Sequence, residues 1–422
     1  MRAETYTAFS QDIHARAVAQ RMPLNGTIEV TRRCPLTCAH CYNNLPMGDG
    51  PARRDELTYD EHCRILDEIG EAGCLWLLFT GGEIFARKDF LDIYTAAKTR
   101  GFIVTLFTNG TLIDERVADH LARWPPFSIE ITLYGRTKET YERLTGVPGS
   151  FERCMQGIAR LRERGLPLKL KTVAVTVNQH EVDEMKRFAE GDLGVGFKLD
   201  AMMNPRIDGS AAPLGVRLSP ADVVALDLGD PQRMKEWAEF SARYTTPPKS
   251  GDDLYQCGGA VGSFAIDPYG QLSLCVLSEV DKINLREHSF RHGWDEFLGK
   301  IRRRKITRIT KCTACAIKSI CGMCPANGEL HGDAESPVDF LCEVAHLRAH
   351  AIGVAVPPHG TCEYCEGGAS YAAVVATVAS LREGHGGGSP RRAGLPPAPR
   401  RLPVLGSAPS AACGSGGCSS CH

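Results

Sequence analysis

Three cysteines crowd one short stretch, Cys34-Pro-Leu-Thr-Cys38-Ala-His-Cys41-Tyr42, which puts three thiols within eight residues. Thiolates bind iron and zinc, and three are one short of the four that close a typical cluster or structural metal site. An open position of that kind leaves an exchangeable metal at which a substrate can be gripped. Farther along stands Gly81-Gly82-Glu83. Its glycines let backbone approach a ligand closely, and its carboxylate can accept from an ammonium group. A second concentration reads Cys257-x12-Gly270-x4-Cys275, then Cys312-x2-Cys315-x5-Cys321-x2-Cys324, then Cys342. Cys362 and Cys365 come next, fit for a redox pair or for metal binding, and the chain ends with Cys413, Cys418, Cys421 and His422. Cys63, Cys74 and Cys154 stand apart, on a helical pattern or beside buried strands, where a small apolar role suits them.

The elements that must position these groups are legible as alternation. Between residues 26 and 202, six short apolar runs alternate with helical patterns, which is the signature of β/α units on a parallel sheet. The expected strands are Thr27–Thr31, Leu75–Thr80, Phe102–Thr108, Phe127–Leu133, Leu168–Val177 and Val195–Asp200. Near-continuous hydrophobicity suits strands covered on both faces. Thr58-Tyr-Asp-Glu61 has the spacing of a capping box, opening a helix that stops at Gly73, and Ser150 opens another that closes near Gly165. Six such units fit either a flat doubly wound sheet or a partly closed barrel. In both, ligands bind at the carboxyl ends of the strands. Those ends carry the three-cysteine loop, Gly81-Gly82-Glu83, Asn109-Gly110 and Tyr134-Gly135 in turn.

In order and spacing, the cysteine loop with its following aromatic and the later Gly-Gly-Glu resemble the radical S-adenosylmethionine (SAM) superfamily. A zinc loop is the structural alternative. The resemblance implies an α/β fold, a partial (β/α)6 barrel with the cluster and SAM at its mouth. It implies that Cys34, Cys38 and Cys41 ligate three irons of a 4Fe-4S cluster while SAM chelates the fourth. Gly81, Gly82 and Glu83 would hold the methionyl ammonium, and Tyr42 would sit beside the adenine. Asn109, Thr132 and Asn178 would occupy strand ends that contact ribose or carboxylate. Many relatives have an arginine where this chain has Thr145, before Gly146, and Arg143 is the nearest substitute. The chemistry implied is reductive cleavage of SAM to a 5′-deoxyadenosyl radical, with no side-chain acid or base needed to start it.

The seven cysteines from 257 to 342 resemble a SPASM domain, with two residues rather than the common three between Cys321 and Cys324. By that resemblance Cys312, Cys315, Cys321 and Cys342 would hold one auxiliary 4Fe-4S cluster, and Cys257, Cys275 and Cys324 a second that lacks an evident fourth thiol. Two zinc sites are the alternative. The resulting organisation is an N-terminal extension (1–25), a radical SAM core (26–245), a smaller cysteine-rich domain (250–350), a cysteine pair with a helix (351–383) and a disordered tail (384–422). The tail is rich in Gly, Pro and Ala and ends in three thiols.

Composition narrows the partners. The chain has 422 residues, 43% of them hydrophobic, and its 49 Lys plus Arg nearly cancel 50 Asp plus Glu, so no global field draws it to nucleic acid or an anionic membrane. No apolar run approaches the ~20 residues of a membrane span, and the charged N-terminus is unlike a signal peptide. Eighteen cysteines in a reducing, cytoplasmic setting point to metal rather than disulfides. Many SPASM proteins modify ribosomally made peptides or a partner protein, so the expected substrate is a peptide or protein, with flavodoxin or ferredoxin as electron donor. The first strand starts too early for an added peptide-recognition domain of ordinary size, so leader binding would fall to a partner or to the SPASM surface. The alternatives are side-chain chemistry on a tetrapyrrole and a non-catalytic iron-sulfur carrier.

Overall fold

The computed structural model describes residues 6–244 and 252–386. One sheet of nine strands organises them. In chain order these are β1 (Asn25–Thr31), β2 (Trp76–Gly81), β3 (Ile103–Thr108), β4 (Ser128–Thr132), β5 (Leu168–Val173), β6 (Gly196–Asp200), β7 (Ser263–Ile266), β8 (Gln271–Ser273) and β9 (Ile283–Asn284). Across the sheet they run β9-β8-β7-β1-β2-β3-β4-β5-β6. β1 to β6 are parallel and each lies beside the next in sequence. A doubly wound sheet reverses its strand order at a switch point. No reversal occurs here, so the six units follow the barrel alternative.

Strand and helix ends have local causes. Leu77, Phe79, Val104, Leu106, Ile129, Ile131 and Leu170 are buried within the sheet, as helices on the outer face and packed side chains within require. The helix Tyr59–Glu71 opens on the expected capping box: the Thr58 hydroxyl accepts from the Glu61 amide, and the Glu61 carboxylate accepts from the Thr58 amide at 2.7 Å. The fifth strand stops at Val173 rather than running to Val177. Asn178 ends it, its carboxamide oxygen accepting from the Val175 amide at 2.8 Å while its Nδ2 donates to the Val173 carbonyl at 3.0 Å.

The cysteine-rich region does not stand apart from the core. β7 pairs with β1 in parallel, and β8 and β9 continue the same sheet antiparallel. The Asn25 amide donates to Gly262 and the Leu57 amide to Pro268, so both the start of β1 and the segment after it are tied to that region. The N-terminal extension forms the helix Tyr6–Gln20, whose Ala17 packs with Leu24 and Trp76. At the other end the helix Tyr371–Gly386 packs on the helices Asp339–Ala351 and Pro220–Leu228. The disordered tail expected from residue 384 does not begin there, since the helix Tyr371–Gly386 runs past that point, and the rest of the tail, with Cys413, Cys418 and Cys421, lies outside the described residues. No helix among the described residues is long and apolar enough to cross a membrane.

Where β1 gives way to the cysteine loop, Arg33 and Glu56 form a buried bidentate pair, with both N···O distances 2.9 Å, and the Thr31 hydroxyl donates to the same carboxylate. Removing one member of such a pair leaves the other charge stranded. Glu56→Ala is therefore expected to cost about 3–5 kcal/mol, read as a lower urea midpoint at unchanged slope, with Glu56→Gln retaining part of the loss.

Candidate functional site

The loop from Cys34 to Asn44 is cinched at its base. Arg33–Cys34 pairs with Leu45–Pro46, and Arg206 closes the far side, donating to the Cys41 and Asn44 carbonyls and to the Asn44 side chain. The next layer fixes its roof: the amides of Thr37 and Ala39 donate to the carbonyls of Thr145 and Leu144. Thr145, where an arginine is common, is fully buried with its hydroxyl on Ser150. Arg143 is turned outward to the Val177 carbonyl. Beneath the loop the buried carboxylate of Glu29 accepts from Asn43 Nδ2 at 2.7 Å and Tyr42 Oη at 3.2 Å, and burial raises its pKa against the opposing pull of Arg32.

These anchors leave a cavity of about 1060 Å³, its mouth included, at the carboxyl ends of β1 to β5. Cys34, Cys38 and Cys41 all face it, as do Tyr42, Gly81, Gly82, Asn109 and Thr132. Asn109 Nδ2 donates to Cys34 Sγ at 3.4 Å, and its carboxamide oxygen is held by Thr111. Burial pushes the Cys34 thiol up to about 12 and raises Cys38 and Cys41 as well. Such thiols keep their protons until a metal displaces them. Three convergent thiols with no fourth among the lining residues fit a cluster that keeps one iron open.

The glycines are required by contact. Gly81 has φ +128°, and a Cβ there would meet the Thr31 carbonyl oxygen at 2.2 Å. At Gly82 it would meet the carbonyl oxygens of Arg32 and Arg33 at 2.5 and 2.6 Å. The strand after the cysteines is thus pressed against the backbone from which they spring. Glu83 is fully buried and is not among the cavity-lining residues. Its carboxylate accepts from Thr108 Oγ1 at 2.7 Å, the Asn109 amide at 2.8 Å and the Phe85 amide at 3.2 Å, and burial carries its pKa up to about 7. It braces β2 to the end of β3 and so orients Asn109. Asn178 likewise lies outside the cavity, spent on backbone.

Tyr134, expected at the end of the fourth strand, faces the cavity too, while several lining residues escaped the sequence reading: His40, Phe107, Lys171, Met202, Met203 and Leu277. Lys171 had a signal, since a lysine in the middle of an apolar, two-sided strand is out of place. Its Nζ sits 2.9 Å from the centroid of the Phe107 ring, and it is the single Lys, Arg, Asp or Glu that lines the cavity. Burial lowers its pKa to about 7, opposed by Glu130.

The expected auxiliary ligands divide. Cys312, Cys315, Cys321 and Cys342 line a second cavity of about 330 Å³, together with His346, His359 and Cys362. Cys257, before β7, Cys275, after β8, and Cys324, at the start of the helix Pro325–Leu330, lie outside it. Cys74 and Cys154 are buried in the main core. All fifteen described cysteines are free of disulfides.

A family profile described as the Radical SAM superfamily matches residues 28–189. A PqqA peptide cyclase of Gluconobacter oxydans is 30% identical over 61% of this chain and 71% of its own length. The chain belongs to the radical SAM superfamily. Radical SAM proteins bind a 4Fe-4S cluster and SAM, and the cavity has the donors for both. An AdoMet-dependent heme synthase of Methanosarcina barkeri is 27% identical over 71% of this chain and 90% of its own length. Among solved structures, Streptococcus suis SuiB bound to S-adenosylmethionine superposes with a TM-score of 0.59 at 18% identity, covering 81% of this chain and 82% of that one. The anSMEcpe enzyme with bound AdoMet gives 0.58 at 15% identity over 86% and 99%. These likenesses show a shared fold over four fifths or more of the chain.

Two measurements check this site. Gly82→Ala is expected to push the cysteine loop off β2 and weaken SAM binding by the reconstituted protein at least about tenfold, roughly 1.4 kcal/mol, in equilibrium dialysis. Lys171→Met is expected to raise the melting temperature of the SAM-free chain most at pH 6. The folded pKa of about 7 lies below the ordinary 10.5, so the cost of burying the charge is complete below pH 7 and fades as pH rises toward 10.5. The gain should therefore shrink by pH 9.

Proposed function

We propose that this chain is a peptide- or protein-modifying radical SAM enzyme of the cytoplasm, with Cys34, Cys38 and Cys41 as ligands of the catalytic cluster. When bound, cluster and SAM supply hydrogen abstraction from a C–H bond, begun by one-electron reductive cleavage of SAM. The chain's part is placement and exclusion. Gly81 and Gly82 present backbone to the methionyl end, Glu83 fixes Asn109 from behind, and Asn109 stiffens Cys34 by hydrogen bonding. Tyr42 and Thr132 line the wall that would flank the nucleoside, and Lys171, also on the wall, would meet a ligand carboxylate in the role that Thr145 has lost. Met202, Met203, Val173 and Leu277 line the cavity with apolar surface that helps keep water and stray reductant from the reacting centre. Cys312, Cys315, Cys321 and Cys342 hold one auxiliary cluster, and Cys257, Cys275 and Cys324 serve a second. A flavodoxin or ferredoxin delivers the electron.

The observation that carries the peptide reading is the chemistry of the cavity wall. Apart from Lys171 its polar residues are neutral amides, hydroxyls, thiols and an imidazole, among them Asn43, Asn44, Asn204 and Thr172. Amides and hydroxyls complement peptide groups. A tetrapyrrole bearing several carboxylates calls for several cations, and the wall supplies one. The extended likeness to heme synthases, covering 90% of one of them, favours the tetrapyrrole as second reading.

The test is anaerobic reconstitution, reduction with dithionite and assay of 5′-deoxyadenosine. Release is expected, and the Cys34/Cys38/Cys41→Ala variant should reduce it to background. Adding peptides encoded beside this gene should raise the rate and shift peptide mass. Acceleration by a carboxylate-bearing tetrapyrrole alone would favour the second reading, and bound iron without SAM binding or cleavage would leave a carrier.

A further inference from the structure

On one wall of the second cavity, reaching past it to Cys365, lies a group of side chains that the radical chemistry does not use. His346 projects from the helix Asp339–Ala351, and His359, Cys362 and Cys365 stand on the loop that leads to the helix Tyr371–Gly386. Their ligand atoms all lie within 4.8 Å of one another, the one such group of His, Cys, Asp or Glu among the described residues. His346 Nε2 is 3.5 Å from both Cys362 Sγ and Cys365 Sγ, and His359 Nδ1 is 3.3 Å from Cys365 Sγ.

The spacing suits a single ion. Zinc bonds to sulfur at about 2.3 Å and to imidazole nitrogen at about 2.0–2.1 Å, so the N···S edge of a zinc tetrahedron is roughly 3.6 Å. The observed separations of 3.3 and 3.5 Å are those of ligands sharing one ion. A four-iron cluster interposes sulfide-bridged irons between its ligands, and a two-iron cluster with two histidines and two cysteines puts the nitrogens and the sulfurs on different irons. Neither brings imidazole against thiol. We propose that His346, His359, Cys362 and Cys365 bind a single zinc ion, separate from the Cys312, Cys315, Cys321 and Cys342 set whose cavity it borders.

The surroundings complete the site. His346 Nδ1 donates to the Cys342 carbonyl at 2.7 Å, which fixes its proton there and leaves Nε2 with a bare lone pair toward the two sulfurs. A ligand histidine held by an outer carbonyl in this way is a regular feature of zinc sites. His346, Cys362 and Cys365 are buried. His359 Nδ1 lies 2.9 Å from the Pro357 carbonyl as well as facing Cys365. On metal binding its proton passes to Nε2, which neutral imidazole allows, and the two thiols release theirs. Four protein ligands close the coordination shell, so the ion is structural. It pins the loop and the last described helix to the helix that carries Cys342.

The decisive measurement is metal content of anaerobically purified full-length protein, grown with zinc, by mass spectrometry. About one zinc per chain is expected beside the cluster iron. The Cys362→Ser/Cys365→Ser variant should lose most of the zinc while keeping its iron. His359→Cys, which preserves four ligands, should keep the zinc, as should a chain with Cys413, Cys418 and Cys421 changed to serine. Zinc K-edge absorption of the parent should show two sulfurs and two nitrogens, independently of how any variant folds. No zinc in the parent, loss of iron with Cys362 and Cys365, loss of zinc with the tail cysteines, or an all-sulfur shell would each overturn the proposal.

Discussion

The cavity depends on one irregularity at the end of β1. Pairing between β1 and β2 runs in step from Asn25 to Glu29 and then shifts by one residue before Thr31. The inserted residue bends the strand, and the bend aims the cysteine loop that leaves it. That bend is locked from three sides. Thr31 accepts the Gly82 amide at 2.7 Å, Arg33 meets Glu56, and Arg87 reaches the Val30 carbonyl. With no side chain at Gly81 or Gly82, β2 closes on the bend directly. Cys34 therefore starts its loop from a rigid corner and not from a mobile tether.

The same region shows how polarity is distributed around a redox centre. Carboxylates lie beneath and behind the thiols, in Glu29 and Glu83, and each is consumed by hydrogen bonds from the chain itself. The thiols gain only weak partners, such as Asn109 on Cys34. Buried thiols held protonated make assembly of a metal centre a proton-releasing step. Strong donors go to the scaffold, and the metal-facing sulfurs are left available.

Local pattern made much of this legible. The six parallel strands announced themselves by apolar runs between helices, and the Thr58–Glu61 capping box by spacing, because both are short-range physics. The cysteine loop and Gly81-Gly82 are encoded as contiguous residue types. The inward turn of Glu83 was not readable, since its partners Thr108 and Asn109 belong to another strand. Nor was the pairing of Ser263–Ile266 with β1, whose partners lie more than two hundred positions apart and leave no periodic trace. His346 and His359 carry no local signal, because one sits on a helix and one on a loop and only packing brings them together. Asn178 had a strand-end position in sequence, yet the strand had already stopped.

The join between β7 and β1 bears on how such a chain can be divided. Without Ser263–Ile266, β1 would present a free row of amide and carbonyl groups along the outer margin of the sheet, a template for strands of other molecules. The cysteine-rich half thus serves as a covering strand for the half that carries the cavity, whatever its metals do. An evolutionary exchange of that half would have to supply a matching strand as well as matching ligands, which ties the two halves together as a unit of inheritance.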